Sequence, residues 1–364
     1  MLKMSKKYKA LLSMSLLLVG GVFLVFAVRD QENPVRIGYF HGGRVNMIYR
    51  TFINNYFNQE GVAVELYTKN LYGDEIFKIP KTDEETLTML LARERQDSQR
   101  NVFGKMSGIE IVDKIVKGEF DGGTIGESSF LSSIQKGLPI VAVAMLGYDA
   151  VPGKAIILRS DVKIASPDDL RGKTLISRRA GPGDAIFLRE FLGDIGLVPG
   201  KDVTVIDQVG ELDAETWLEE KKIDGGLYHL VAVKRLVDSG VAYVYRPMDW
   251  MDSAVSHALL VFHKDYVANH REEVQRVVQA YVKRVAYEKS IPDEEKDRSW
   301  NKGLMLEGEF EGMEIPTYDL PPKVRVDLLE EMQRLLREYG EIDKAVGLNN
   351  FIDMSFVERA METL

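Results

Sequence analysis

Four short stretches carry residue types suited to holding a small polar or anionic molecule. Each falls where a strand should give way to a loop or helix. His41-Gly42-Gly43-Arg44 joins two glycines, which let a backbone approach a ligand closely, to a guanidinium. Gly126-Glu127-Ser128-Ser129 offers a carboxylate, two hydroxyls and the free N–H groups of a helix start. Ser177-Arg178-Arg179-Ala180-Gly181-Pro182-Gly183-Asp184 sets two arginines beside a helix N-terminus. That combination of positive dipole, free donors and guanidinium charge makes it the strongest anion-site candidate in the chain. Tyr228-His229 is the fourth, and Tyr39, just ahead of the first loop, joins Tyr228 as an apolar wall. Each has a structural alternative. Ser128, Ser129 and Asp184 can cap helices, Arg178 and Arg179 can pair with surface carboxylates, and Tyr228 can sit in a core.

Other chemistry fails on spacing. The chain has no cysteine, which removes disulfides, thiolate zinc sites, a thiol nucleophile and a lipid-attachment cysteine. Gly172-Lys173-Thr174 resembles the end of a phosphate loop, but its first glycine would fall at Pro167. Gly181-Pro182-Gly183 starts like a dinucleotide loop, yet Ile186 stands at the third glycine position. The five histidines (41, 229, 257, 263, 270) show no metal-ligand spacing, and no Gly-x-Ser-x-Gly elbow occurs. No cofactor, metal or catalytic group is implied. The net charge is −9, with four lysines among the first nine residues. An acidic body of this kind lacks the concentrated positive face that nucleic acid requires.

The 364 residues suggest two domains. Their patterning predicts strands at 35–40, 62–67, 120–125, 139–146, 174–177 and 201–206. Helices are expected at 45–59, 109–117, 184–195 and 216–222. Alternating strands and helices argue for an α/β fold with a largely parallel sheet. Gly118-Glu119-Phe120-Asp121-Gly122-Gly123 is echoed by Lys221-Lys222-Ile223-Asp224-Gly225-Gly226, in each case after a short helix and before an apolar run. The echo points to two similar lobes. The last third reads as helical, with core stripes at Val274, Val277, Val278, Tyr281, Val282 and Val285 and at Leu328, Met332, Leu335, Leu336 and Tyr339.

Residues 10–28 carry no charge and as a helix would cover about 28 Å, close to the bilayer core. Basic residues before the stretch and a polar linker after it place the body outside the cytoplasmic membrane. Both a signal peptide cut after Ala27 and an uncleaved membrane anchor fit.

In order and spacing, several further elements join these. They are Arg36-Ile37-Gly38-Tyr39, Gly137-Leu138-Pro139-Ile140-Val141, Ala155-Ile156-Ile157-Leu158-Arg159, Asp169-Leu170-Arg171-Gly172-Lys173 and Gly196-Leu197-Val198-Pro199-Gly200-Lys201-Asp202-Val203. Together, from Val35 to about Asp265, the chain resembles the extracytoplasmic solute-binding proteins of ABC importers, in the NMT1-like branch for sulfonates, taurine, nitrate and thiamine-precursor pyrimidines. The resemblance implies a type II periplasmic-binding-protein fold, with two α/β lobes joined by crossover strands near 155–159 and 259–263. Lobe 1 would hold residues 34–154 and 264–364, with an insertion at about 68–107 that includes a charged helix over 83–100. Lobe 2 would hold 155–263, and residues 1–33 the signal or anchor and linker. A solute in the cleft would meet Tyr39, Gly42, Gly43, Arg44, Glu127, Ser128, Ser129, Arg179, Gly181, Gly183, Asp184, Tyr228 and His229. The implied partners are a small-molecule ligand, an ABC permease with its ATPase, and the membrane through the N-terminal segment. A membrane-tethered sensor or assembly protein on the same fold, and an enzyme on that fold, are the alternatives. Tyr228-His229-Leu230 stands where the family commonly has a tryptophan-proline element, so the family's ligands do not carry over.

Overall fold

A computed structural model of the chain describes residues 33–40, 43–69, 75–81, 106–148, 154–178, 182–209, 211–292 and 317–364. The chain divides into two compact units, Met1–Pro34 and Val35–Leu364. Residues 10–28 and the charged helix expected at 83–100 lie outside the described residues. Among the described residues no helix is long and apolar enough to cross a membrane.

The second unit is built on two mixed sheets. One runs β3-β2-β1-β4-β11-β5, from β1 (Val35–Gly38), β2 (Val64–Lys69), β3 (Ile76–Lys78), β4 (Gly122–Gly126), β5 (Ile140–Tyr148) and β11 (His257–His263). The other runs β8-β7-β9-β6-β10, from β6 (Lys154–Arg159), β7 (Thr174–Arg178), β8 (Thr204–Val209), β9 (Gly225–His229) and β10 (Ala242–Pro247). In each, three strands run parallel and helices connect them: β2, β1 and β4 in the first, β8, β7 and β9 in the second. Next to them lies one antiparallel strand supplied from the other half of the sequence, β11 in the first sheet and β6 in the second. The fold is therefore the two-sheet α/β architecture of type II periplasmic binding proteins.

The chain passes between the sheets twice, just ahead of β6 and just ahead of β11. The strands expected to cross, near 155–159 and 259–263, each lie whole within one sheet. The expected helix at 45–59 is two helices, Asn46–Ile53 and Tyr56–Gln59. They part at Asn55, which adopts the left-handed conformation that asparagine tolerates better than most side chains. The helix expected at 216–222 spans Glu211–Glu219. The expected insertion begins as an edge strand: β3 pairs antiparallel with β2, and Ile79 is buried beyond it.

The first core stripe of the C-terminal third, Val274 to Val285, is fully buried along the helix Arg271–Ser290. The helix Val326–Glu338 turns Leu328, Met332, Leu335 and Leu336 inward. At its end Tyr339 donates a hydrogen bond to Glu190 at 2.5 Å, tying this helix to Pro182–Asp194, which follows a strand of the other sheet.

Candidate functional site

The Asp-Gly-Gly echo is where local sequence sets the framework of the site. The helix Gly108–Val116 begins with Ser107, whose hydroxyl accepts the Glu110 N–H at 3.1 Å. It stops at Gly118 in the left-handed conformation, and Glu119 N–H bonds back to Lys114 carbonyl at 2.9 Å. The chain then enters β4. There Asp121 exchanges backbone and side-chain hydrogen bonds with Arg36, which lies in the neighbouring parallel strand. In the second half Asp224 does the same for Thr174. The glycines that follow lie under adjacent chain: a Cβ on Gly225 would stand 2.2 Å from the Ile157 carbonyl, and one on Gly226 2.5 Å from that of Ile176. The motif is thus a strand-pairing device in both sheets, and it delivers the ends of β4 and β9 to matching positions.

The helix Glu127–Gln135 starts directly after β4, with Gly126 as its N-cap. Glu127 is buried and accepts from Arg44 Nη1 at 3.1 Å. The same Arg44 nitrogen donates to Ser256 Oγ at 2.9 Å and to the His257 carbonyl at 3.1 Å. From the second sheet, Lys154, only 1% exposed, donates to that same Ser256 hydroxyl at 2.8 Å. Lys154 Nζ also lies 4.0 Å from Asp184 Oδ1 and 5.0 Å above the Phe187 ring. Asp184 Oδ2 is in turn 4.0 Å from His229 Nε2. Both carboxylates stand in the first turn of a helix, where the dipole favours negative charge. The two helix starts face each other. A Cβ on Gly183 would be 3.2 Å from Glu127 Oε1 and 3.4 Å from Ser128 Oγ.

Of the nominated residues, Arg44, Glu127, Ser128, Gly183, Asp184 and His229 are brought together, and Gly43 opens the short 3-10 turn that carries Arg44. Ser129 turns to another neighbour, with its hydroxyl against Gly108. Tyr39 is buried beside Tyr49, ring centroids 6.0 Å apart, and burial pushes its hydroxyl far above the usual tyrosine range. Tyr228 is fully buried, donates to the Ala214 carbonyl at 3.0 Å and belongs to the second sheet's apolar cluster. Both tyrosines thus occupy core positions. Neither Ser128 nor Ser129 caps a helix, since Gly126 holds the N-cap position. Gly42, Arg179 and Gly181 lie outside the described residues.

Three members of the cluster escape a reading by motif: Lys154, Ser256 and His257. The available signal was a polar residue opening an otherwise apolar strand, as in Lys154-Ala155-Ile156-Ile157 and Ser256-His257-Ala258-Leu259. His257 is buried, with Nδ1 3.2 Å and 3.1 Å from the Ala254 and Val255 carbonyls, so that nitrogen carries the proton. Burial, aided by the charge of Arg44, lowers its pKa to about 4. Its imidazole is neutral at physiological pH. Among the described residues no group of three or more histidines and carboxylates could hold a metal ion.

The architecture is similar to several solved structures. The periplasmic aliphatic sulphonate binding protein of Escherichia coli is 14% identical, with a TM-score of 0.59 over 90% of this chain and 100% of that one. The periplasmic nitrate-binding protein of Synechocystis is 12% identical, with a TM-score of 0.62 over 92% of this chain and 89% of that one. A desulfurization enzyme, DSZB, is 12% identical, with a TM-score of 0.56 over 90% of this chain and 99% of that one. At these identities the likeness is one of fold. No curated protein matches the chain in sequence. Residues 107–295 match the family described as NMT1/THI5 like. That match takes in β4, β9, both helix starts and the Ser256 junction, and spans more than half the chain, which belongs to the NMT1/THI5-like family.

Proposed function

We propose that the protein is the extracytoplasmic solute-binding component of an ABC importer, capturing a small polar or anionic organic solute between two lobes. The lobe bounds expected at 154/155 and 263/264 move to the two passages between the sheets, since Lys154 opens β6 of the second sheet and β11 lies in the first, and the chain hinges at those passages. One observation carries the reading: helix starts at the ends of strands from two different sheets face each other at Glu127, Ser128 and Gly183, with charged side chains between them. In α/β proteins this is the place where ligands collect. A solute touching both helix starts favours the closed arrangement of the lobes because it gains contacts there that the open one lacks.

Arg44, Glu127, Ser128, Asp184 and His229 supply polar contacts in this reading, and the 179–184 loop supplies anion donors through Arg179. The sulphonate- and nitrate-binding proteins that share the fold support a small solute, and the desulfurization enzyme shows that the fold alone does not decide between binding and catalysis. Non-catalytic binding is favoured by the chemistry in hand: the chain has no cysteine to act as a thiol nucleophile. Release of the body after Ala27, or tethering through residues 10–28, keeps it at the outer face of the membrane beside a permease and its ATPase. The mass of the mature protein separates these, since Val28 at the N-terminus means release and an intact Met1 end means tethering.

The test is a thermal-shift screen of the protein against sulfonates, nitrate, pyrimidines, amino acids and aromatic acids. A solute at 100 times its dissociation constant stabilises the fold by about 2.7 kcal/mol, which raises the melting temperature by a few degrees. No shift with any of them would overturn the reading. With a binder in hand, Arg179→Ala should weaken its affinity by about 1.5–3 kcal/mol, the range of a charge-assisted hydrogen bond. Unchanged affinity in calorimetry would remove Arg179 from the site.

A further inference from the structure

The helix Pro182–Asp194 packs on β7 and β9 of the second sheet, yet it meets the first lobe at two separate places. At its start, a Cβ on Gly183 would lie 3.2 Å from Glu127 Oε1. About two turns further along, Glu190 accepts a hydrogen bond from the Tyr339 hydroxyl at 2.5 Å. Beside it Arg189 donates to Glu341 Oε1 at 3.4 Å, and its guanidinium lies 5.9 Å from the centroid of the Tyr339 ring. Each side of this second contact is fixed by its own lobe. Tyr339 follows the helix Val326–Glu338, where Gly340 takes the left-handed conformation and Glu341 N–H bonds back to the Leu336 carbonyl at 2.8 Å. That helix buries Leu328, Met332, Leu335 and Leu336 and packs beside the helix Glu127–Gln135 of the first lobe. On the other side Arg189 pairs with Asp207 of β8, and Asp207 accepts from Ser177 Oγ of β7 at 3.0 Å.

At 1.5 Å rise per residue, Glu190 stands about 10 Å along the helix from Gly183. A small solute held at the facing helix starts does not reach it. The contact joins one lobe to the other and needs no solute to form. Interactions made only when the lobes are together shift their equilibrium toward closure. The hydrogen bond from Tyr339 to a carboxylate is the larger of the two, because the Arg189–Glu341 pair, 19% and 30% exposed, is screened by water. We propose that Tyr339, Glu190, Arg189 and Glu341 form a latch that holds the lobes closed in the solute-free protein and sets the affinity of the cleft from outside it. The inference rests on the hinged lobes of the reading above and adds what decides their resting state. Apparent affinity scales with the fraction of molecules in the arrangement that binds, so the latch strengthens every solute by one common factor. The four are positioning residues: they act on the lobes, and the chemistry of solute contact is left to the helix starts.

The test reads the separation of the lobes in the full chain, without solute. Because the chain has no cysteine, spin labels on Lys117→Cys and Lys222→Cys occupy the only thiols. Both positions are exposed, just ahead of β4 and β9 and one in each lobe. Pulsed electron–electron resonance should find the main population at the separation of the closed arrangement. Tyr339→Phe, which removes only the hydroxyl, should raise the ratio of open to closed about fivefold, as expected for one hydrogen bond. Glu341→Gln, at a more exposed position, should raise it about twofold. Glu190→Ala should act like Tyr339→Phe, and the two together should open the lobes no further than either alone. A solute-free protein with no closed population would overturn the latch. So would an unchanged ratio in Tyr339→Phe and Glu190→Ala, even with a lowered unfolding midpoint, which marks a merely structural hydrogen bond. With two binders from the screen, Tyr339→Phe should weaken both by the factor by which its closed fraction falls, and unequal factors would overturn the inference. If the variants open while no solute of the screen binds, the latch stands and the solute-binding reading falls.

Discussion

The two halves of the molecule share one plan and differ where they meet. Shifted by 103 positions, the helix Gly108–Val116 becomes Glu211–Glu219, β4 becomes β9, and the helix Glu127–Gln135 becomes Leu230–Asp238. The Asp-Gly-Gly hydrogen bonds and the turn that precedes them repeat in the same register. Past the end of the strand the chemistry parts: Gly126-Glu127-Ser128-Ser129 in the first half stands against His229-Leu230-Val231-Ala232 in the second. The first half thus sends a carboxylate and hydroxyls toward the junction. The second contributes its polar groups from elsewhere, from Lys154 at the head of β6 and Asp184 at the next helix start. Residues that pair the strands cannot vary without loss of the sheet. Residues beyond the strand ends are released from that constraint, and there the halves specialise.

The comparison is broken most forcefully by writing the second half's residue into the first. Glu127→Leu removes the carboxylate that pairs with buried Arg44 and should cost about 3–5 kcal/mol in urea unfolding. Adding Arg44→Met should recover much of that loss, because an apolar pair of similar volume replaces the ion pair. A double variant no more stable than Glu127→Leu alone would show that Arg44 is held mainly by Ser256 and the His257 carbonyl.

Glycines at matched positions offer a second contrast. Gly225→Ala drives a methyl into the Ile157 carbonyl, whereas Gly122→Ala first meets the Phe262 ring at 2.6 Å and then the Val261 carbonyl at 2.7 Å. A ring can shift more readily than paired backbone. Gly225→Ala should therefore cost about 3 kcal/mol or more and Gly122→Ala somewhat less, both within the range for overpacking. Equal unfolding midpoints for the two would mean that the strands yield alike.

The junction ahead of β11 sharpens the contrast through pH. His257 has a folded pKa of about 4 against an unfolded value near 6.5, so the unfolded chain takes up the proton first as pH falls. The stability it contributes is complete above pH 6.5 and is lost on going down to about 4, with roughly 2 kcal/mol gone by pH 5. His257→Gln should flatten the urea midpoint between pH 7.5 and 5. If the slope survives in that variant, another group carries it.

The smallest effect concerns the turn. Gly118 and Lys221 occupy the same left-handed position after their helices, with φ of 73° and 61°. Lys221→Gly should raise stability by about 0.5–1 kcal/mol, its relief of backbone strain outweighing an exposed ion pair with Asp161. Gly118→Lys should lower it by about 1 kcal/mol. Both are read from thermal unfolding.

Much of the fold was legible because its signals are local or repeated. The apolar run at 139–146 became β5, and the stripe from Val274 to Val285 became the buried face of a long helix. The helix at Glu211–Glu219 was misplaced by periodicity, although the 103-residue echo already located it. Its apolar pattern is weak and its neighbour's is strong, so the repeat was the better guide. The site was legible only in part. Arg44, Glu127, Ser128, Gly183, Asp184 and His229 lie at strand ends or helix starts that a sequence can mark. Lys154 and Ser256 bear no motif, and their importance comes from partners 30 to 212 positions away. Tyr39 and Tyr228 failed to show their direction, because a tyrosine beside a strand end can turn to either side of its sheet.

What the amino-acid sequence determined by itself is the repeated strand-and-helix framework, since hydrophobic period, helix-ending residues and the Asp-Gly-Gly pairing device act over a few residues. What only the tertiary structure decided is the charge pattern at the junction. Arg44, Glu127, Lys154, Asp184 and Ser256 become neighbours only when two sheets are brought together, and electrostatic pairing depends on separation in space and on exclusion of water, neither of which is written in sequence spacing.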